Sequence, residues 1–138
     1  MSADRIKQLM SDNAAALRHL HRRVHETAAV RDQGPTELKA WVEACRDFHN
    51  RYNDLAFPGG YHTVLQALQS SDAGAIDLAL CFVESRPYFF RSGYMHTRLM
   101  RRLKKCAMND EQATRYARVV ERAAAWRQKK KSQSSTGR

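Results

Sequence analysis

The chain has 138 residues, 43% of them hydrophobic, and a formal net charge of +10, which fits one globular domain. Cys45, Cys81 and Cys106 match neither a secreted disulfide framework nor the short paired spacings of a structural zinc site. The first residues lack the apolar core of a signal peptide, and no apolar run approaches the ~20 residues of a transmembrane helix, so we expect a cytoplasmic protein without a transmembrane segment.

Apolar residues recur with a helical period along the whole chain, and only three prolines and six glycines interrupt it. We therefore predict an all-α fold of about six helices in a single compact domain. The first helix is predicted over residues 2–31, ended by Gly34 and Pro35. His21 and His25 stand four residues apart near its apolar edge, and we interpret them as boundary residues because no third metal ligand is evident.

The second helix is predicted over residues 36–57, with an apolar stripe on one face. Cys45, His49 and Tyr52 lie in that stripe. A thiol and an imidazole at this spacing could form a reactive pair, but an apolar setting favours a buried, inert cysteine. A short helix beginning near Tyr61 is predicted after a Pro-Gly-Gly break.

The next helix is predicted to be the central one, because Asp77 is the one charged residue between Ala75 and Val83. Asp77 and Glu84 share a narrow polar stripe on it. Since ionised carboxylates are seldom buried without a partner, we interpret this stripe as solvated.

Two segments of the chain resemble each other. The residues Phe57, Gly60, Tyr61, His62, Thr63 and Leu65 match Phe90, Gly93, Tyr94, His96, Thr97 and Leu99 at a spacing of 33 to 34 residues. Each segment follows an apolar helix that contains a cysteine. The similarity indicates a short superhelical array of helix-hairpin repeats, although true arrays usually contain three or more copies.

The surplus positive charge lies at the C-terminal end. Residues 1–97 contain 11 basic and 11 acidic side chains, whereas residues 98–138 contain 13 basic and 3 acidic ones. On a helix predicted over residues 94–107, four basic side chains fall at i, i+3, i+4 and i+7 and form a ridge beside the apolar face. They are Arg98, Arg101, Arg102 and Lys105.

The start of that helix is the second candidate binding feature. Ser92 and Gly93 are expected to leave free backbone N–H groups that attract an anion, with Arg91 and Arg98 within reach and Tyr94 beside them. Tyr88, Phe89 and Phe90 precede this point. Aromatic rings among arginines are typical of single-stranded nucleic acid binding, although phenylalanines beside a loop usually fill the core.

A last helix is predicted after Asn109 or Asp110, reaching about Trp126. The segment behind it has no apolar residue, so we predict a helical domain over residues 1–127 and a disordered basic tail over residues 128–138. The tail contains Lys129, Lys130 and Lys131, which could contact phosphates.

These features predict a non-enzymatic binding module for an acidic macromolecule, with nucleic acid backbone as the favoured partner and an acidic protein as another. We expect no cofactor and no metal. Two alternatives stay open: a protein-interaction scaffold without a role in nucleic acid binding, and an enzyme with an anion site around residues 91–98. The enzyme would require His96 to converge with Arg98 and with Asp77 or Glu84.

Overall fold

The computed structural model describes residues 2–136, with side chains described up to residue 133. Within these residues the fold is all-α, as predicted, and a one-turn 310 helix joins the first two of its six α-helices. The helices are α1 (Ala3–Val30), α2 (Pro35–Ala56), α3 (Tyr61–Leu68), α4 (Ala73–Ser85), α5 (Ser92–Lys104) and α6 (Asp110–Thr136). None of them combines the length and the apolar composition of a membrane-spanning segment, as far as the described residues extend.

Local capping explains several helix starts. The Ser2 hydroxyl accepts a hydrogen bond from the Arg5 amide at 3.3 Å, and the Asp72 carboxylate accepts one from the Ala75 amide at 2.9 Å. At α6, Asn109 and Gln112 cap each other's backbone N–H groups at 2.8 and 3.1 Å, which is a capping box. Each cap satisfies amide donors that the first helical turn leaves without a partner.

Helix α4 is the centre of the fold, as its composition predicts. It packs against α1, α3, α5 and α6, and its residues from Ala79 to Val83 are almost completely buried. The Phe82 ring stacks on Phe57 with a centroid separation of 5.3 Å. Because a stacked array would pair each unit mainly with its neighbours, this grouping around one helix gives the repeat hypothesis no support.

Helices α1 and α2 form a long hairpin whose tip extends beyond the core. Met10, Ala14, Leu17 and Leu20 of α1 are buried, but no residue from 21 to 43 is. Leu38 and Val42, one turn apart on α2, are exposed. The hairpin tip is therefore stabilised by contacts between its own two helices.

The C-terminal segment differs from the prediction. Instead of ending near residue 127, α6 continues as a helix to Thr136, and residues 137 and 138 lie outside the described part of the chain. A helix needs only hydrogen bonds within itself, and Gln and Lys have good helix propensity. An exposed helix can therefore form where no apolar side chain is available to pack.

Candidate nucleic-acid interface

The four residues of the basic ridge, Arg98, Arg101, Arg102 and Lys105, lie along α5 and at its C-terminal cap. Met95, Leu99 and Leu103 of the same helix enter the core, which fixes the rotation of the helix. The ridge therefore faces outward: Arg101 and Lys105 are exposed, and Arg98 and Arg102 are partly covered. The positive charges of both partly covered arginines oppose the rise that burial causes in the pKa of the Tyr61 hydroxyl in α3. The ridge therefore borders that helix.

The ridge carries unneutralised charge. Among the side chains up to residue 133, Asp and Glu form ion pairs with Lys7, Arg23 and Arg115, and with no member of the ridge. Arg98 instead lies over the Tyr94 ring, 5.6 Å from its centroid. The guanidinium and ammonium groups of the ridge are thus available to an external anion.

The start of α5 differs in one respect from expectation. The Ser92 N–H donates to the Phe89 carbonyl at 3.0 Å, and the buried Ser92 hydroxyl accepts from the Phe89 N–H at 3.1 Å. Ser92 therefore closes a turn, and its backbone N–H is not free for an anion. Gly93, which follows it, lines an open cavity at this helix end.

That cavity brings together arginines from two distant parts of the chain. Arg18 and Arg22, one turn apart on α1, face Arg91 and Gly93 across a space of about 460 Å³. We call it the arginine cleft. Three guanidinium groups next to a helix N-terminus provide positive charge, and their N–H groups can donate hydrogen bonds to phosphate oxygens.

A second cavity, of about 430 Å³, shares Arg91 with the arginine cleft and Arg98 with the ridge. It lies between α2, α3 and α5, and we call it the tyrosine groove because Tyr61 and Tyr94 line it together with Arg91 and Arg98. The Tyr61 hydroxyl is buried and has no hydrogen-bond partner, and burial raises the pKa of this group. Because this hydroxyl is covered by the protein, the groove offers an anion the Arg91 and Arg98 side chains rather than the phenol.

The loop of residues 86–91 presents aromatic rings beside these cavities. Tyr88 is 77% exposed, and Phe90 and Tyr94 are also exposed, whereas Phe89 is 5% exposed and packs in the core. Of the two phenylalanines that were expected to fill the core beside a loop, Phe89 does so and Phe90 does not. Three rings lie open to solvent among arginines, and Arg91 itself lies over Phe90 at 5.5 Å.

The loop is held in an unusual backbone conformation. Arg86 and Arg91, at its two ends, have φ angles of 46° and 71°, in the left-handed region that non-glycine residues avoid. Two long side chains hold it in place: Arg18 Nη1 donates to the Tyr88 carbonyl, and the Tyr52 hydroxyl donates to the Phe90 carbonyl, each at 2.7 Å. Strained loops that the surrounding structure holds in place are common at binding sites.

The tail lysines occupy a different part of the surface. Lys129, Lys130 and Lys131 are exposed on α6, and Lys130 lies over the Trp126 ring at 5.0 Å. Helix α6 packs against α4 rather than forming part of the ridge. The structure therefore separates the predicted site residues into a compact group on α5 and a second group near the C-terminus.

Glu84 is not solvated, contrary to the prediction. Its side chain is 11% exposed, and both of its oxygens accept hydrogen bonds from Arg115 of α6, at 3.1 and 2.6 Å. Lys7 of α1 lies 3.1 Å from the same carboxylate. Burial raises the pKa of Glu84, but the hydrogen bonds from Arg115 and Lys7 outweigh that effect, and the pKa lies below its ordinary value. Asp77 is the solvated member of the pair, at 54% exposure.

The residues that the enzyme alternative requires line different parts of the surface. His96 lines a cavity with Arg86 and Arg122, and Arg98 lies in the tyrosine groove. Asp77 and Glu84 both face Arg115.

The two histidine pairs of the sequence analysis lie on α1 and α2. His21 and His25 place their Nε2 atoms 3.2 Å apart. Cys45 is partly covered and His49 is exposed, so the prediction of a buried cysteine is wrong. No group of three or more potential metal ligands occurs within the described residues.

No protein-family model matches this chain, and neither curated protein sequences nor solved structures give a significant match.

Proposed function

We propose that this protein binds the phosphate backbone of nucleic acid through the basic ridge, the tyrosine groove and the arginine cleft. The observation that carries the proposal is their connection: Arg91 lines both cavities, and Arg98 belongs to both the groove and the ridge. Seven basic residues from α1, the loop and α5 thus contribute to one surface. They are Arg18, Arg22, Arg91, Arg98, Arg101, Arg102 and Lys105.

The electrostatics support an anion as the partner. None of these seven residues pairs with a carboxylate among the described side chains. Clustered like charges repel one another, and a bound polyanion relieves this repulsion; binding also releases counterions that are condensed on the nucleic acid. Contacts of this kind are made to phosphates, so they position a nucleic acid without reading its sequence.

The test is a salt-dependent binding titration. Arg101→Gln combined with Lys105→Gln removes two exposed charges from the ridge without touching the core. If each contacts one phosphate, the magnitude of the log-log salt slope falls by about 1.8 for duplex DNA and about 1.4 for a single strand. The measurement is fluorescence anisotropy of a labelled oligonucleotide at four salt concentrations.

The matched control removes the same charge elsewhere. Lys39→Gln combined with Arg46→Gln neutralises two exposed residues of α2 that lie on neither cavity nor on the ridge. We expect this variant to keep the parent salt slope. Equal slopes for both double variants would show that net charge alone, rather than the ridge, determines binding.

A protein-interaction scaffold is the second candidate, and one observation favours it. Leu38 and Val42 are exposed one turn apart near the hairpin tip, which is the kind of aliphatic pair that protein interfaces cover. Leu38→Ser combined with Val42→Ser would weaken the binding of a protein partner to this tip and leave oligonucleotide binding unchanged.

A further inference from the structure

The arginine cleft contains a histidine among the residues that line it. His21 of α1 lies at the cleft wall beside the three arginines. Two phenylalanine rings hold its imidazole there, Phe48 at a centroid separation of 5.2 Å and Phe90 at 5.0 Å. A side chain that changes its charge near neutral pH therefore borders the space that the proposed function assigns to phosphate.

His21 is paired with a second imidazole, His25, one turn further along α1. The two Nε2 atoms lie 3.2 Å apart, which is a hydrogen-bond distance, and the two rings are inclined at 77°. Such a bond needs an N–H on one ring and a lone pair on the other. One added proton preserves the bond, because an imidazolium donates to a neutral ring. A second proton would place an N–H on both Nε2 atoms and break it, so the pair as a whole takes up one proton.

The surroundings of the pair are rich in positive charge. No carboxylate is among the described residues that line the cleft, and its three arginines come from α1 and from the loop. On α2, Asp47 is paired with Arg23 at 3.9 Å, and the Tyr52 hydroxyl donates to the Phe90 carbonyl. A proton on the pair therefore faces like charges in the free protein, and an anion in the cleft would reverse this balance.

The protonation state of His21 follows from its setting. Burial, reinforced by the neighbouring His25, lowers the pKa of His21 below its ordinary value of 6.5. The ring is therefore largely neutral at pH 7 in the free protein. A phosphate nearby would stabilise the imidazolium, and by linkage a ligand that favours the protonated form binds more tightly as the pH falls.

We propose that the His21–His25 pair is a titratable part of the arginine cleft, which takes up one proton when a phosphate of the nucleic acid backbone binds there. The proposal rests on the proposed function and adds regulation by pH to it. The protonated pair supplies a fourth positive charge beside three guanidinium groups. A full charge about 6 Å from a phosphate contributes about three- to tenfold in affinity at an exposed site. Because the pair is only partly protonated at about pH 5.5, we expect binding to tighten by about two- to tenfold between about pH 8 and about pH 5.5.

The experiment measures the affinity of the full chain for a labelled ten-nucleotide oligothymidylate by fluorescence anisotropy. Titrations are made at the two pH values and at one fixed ionic strength, because salt alone changes the affinity. Neither phosphodiesters nor thymine bases titrate in this range, so a change in affinity arises from the protein. NMR signals of the histidine rings report the pKa of His21 with and without the strand, and the bound value should be the higher one.

Three variants localise the effect. His21→Phe combined with His25→Gln keeps an aromatic ring at the first position and removes both imidazoles. This variant should bind like the parent at pH 8, which also shows that it is folded, and should gain no affinity at pH 5.5. The matched control, His19→Gln combined with His49→Gln, removes two exposed histidines that line neither the cleft nor the tyrosine groove and should keep the parent's gain. His62→Gln, in the tyrosine groove, should keep it as well.

The outcomes distinguish this inference from the proposed function. Binding with equal affinity at both pH values would overturn the proton uptake and leave backbone binding intact. A gain that persists without His21 and His25, or that disappears in either of the other two variants, would overturn the assignment to this pair. Absence of binding at both pH values and low salt would overturn both proposals.

Discussion

The ion pairs around Glu84 allow the most quantitative prediction about stability. Arg115 donates two hydrogen bonds to this carboxylate, and the two side chains are 15% and 11% exposed. Exposed ion pairs contribute about 0 to 1 kcal/mol, whereas removing one partner of a buried pair costs about 3 to 5 kcal/mol. Since this pair is mostly but not fully buried, we expect Glu84→Gln to lower the free energy of unfolding by about 3 kcal/mol.

Urea denaturation followed by circular dichroism at 222 nm measures this change directly. A loss of about 3 kcal/mol corresponds to a decrease in Tm of about 12 °C for a domain of this size. The denaturant dependence of the unfolding free energy should stay constant, because the variant exposes the same surface on unfolding.

Asp77→Asn is the matched control. Asp77 also faces Arg115, at 3.7 Å, but it is 54% exposed, so its neutralisation should cost less than about 1 kcal/mol. Equal losses for the Asp77 and Glu84 variants would refute the reasoning, because burial would then not determine the contribution of each pair. A loss below about 1 kcal/mol for Glu84→Gln would refute it as well.

Further predictions concern pH and the C-terminal helix. Burial lowers the folded-state pKa of His96 and His21 below the unfolded value of 6.5, so the unfolded chain takes up protons first as the pH falls. The free energy of unfolding should therefore decrease as the pH falls below about 6.5, and the decrease measured in urea should be smaller for His96→Leu than for the parent chain. A chain ending at residue 127 loses the three tail lysines, and its anisotropy titration should show a shallower salt slope if they contact phosphates. An unchanged slope would confine the phosphate contacts to the rest of the protein.

The sequence predicts the helices and their order well, because apolar periodicity and capping residues are local signals. The run from Ala75 to Val83, with Asp77 as its single charge, identifies the central helix before any contact is known. The sequence cannot show that Arg115 lies 31 residues from Glu84 and next to it in the fold. Without that contact, the sequence favours a solvent-exposed Glu84, and this prediction was wrong.

The proposed binding surface was likewise only partly predictable, because local patterns show helix faces but not contacts between distant segments. The spacing of Arg98 and Arg102 on one helix identifies the ridge. Nothing local in the sequence links these two residues to Arg18, which bonds to the loop at Tyr88, 70 residues further along the chain. Tyr88 and Phe89 are adjacent aromatic residues, and only packing decides that the first is exposed and the second buried. A signal for the His96 cavity was absent because its walls come from three helices.

The location of the bound partner tests the central claim most directly. In a two-dimensional NMR titration of the 15N-labelled chain with a ten-nucleotide single strand, we predict the largest shift changes in the amides of residues 86–105, including the loop and α5. Salt should reverse them, since the contacts are to phosphates. Changes confined to the hairpin tip around Leu38 and Val42, or no changes at low salt, would contradict the account.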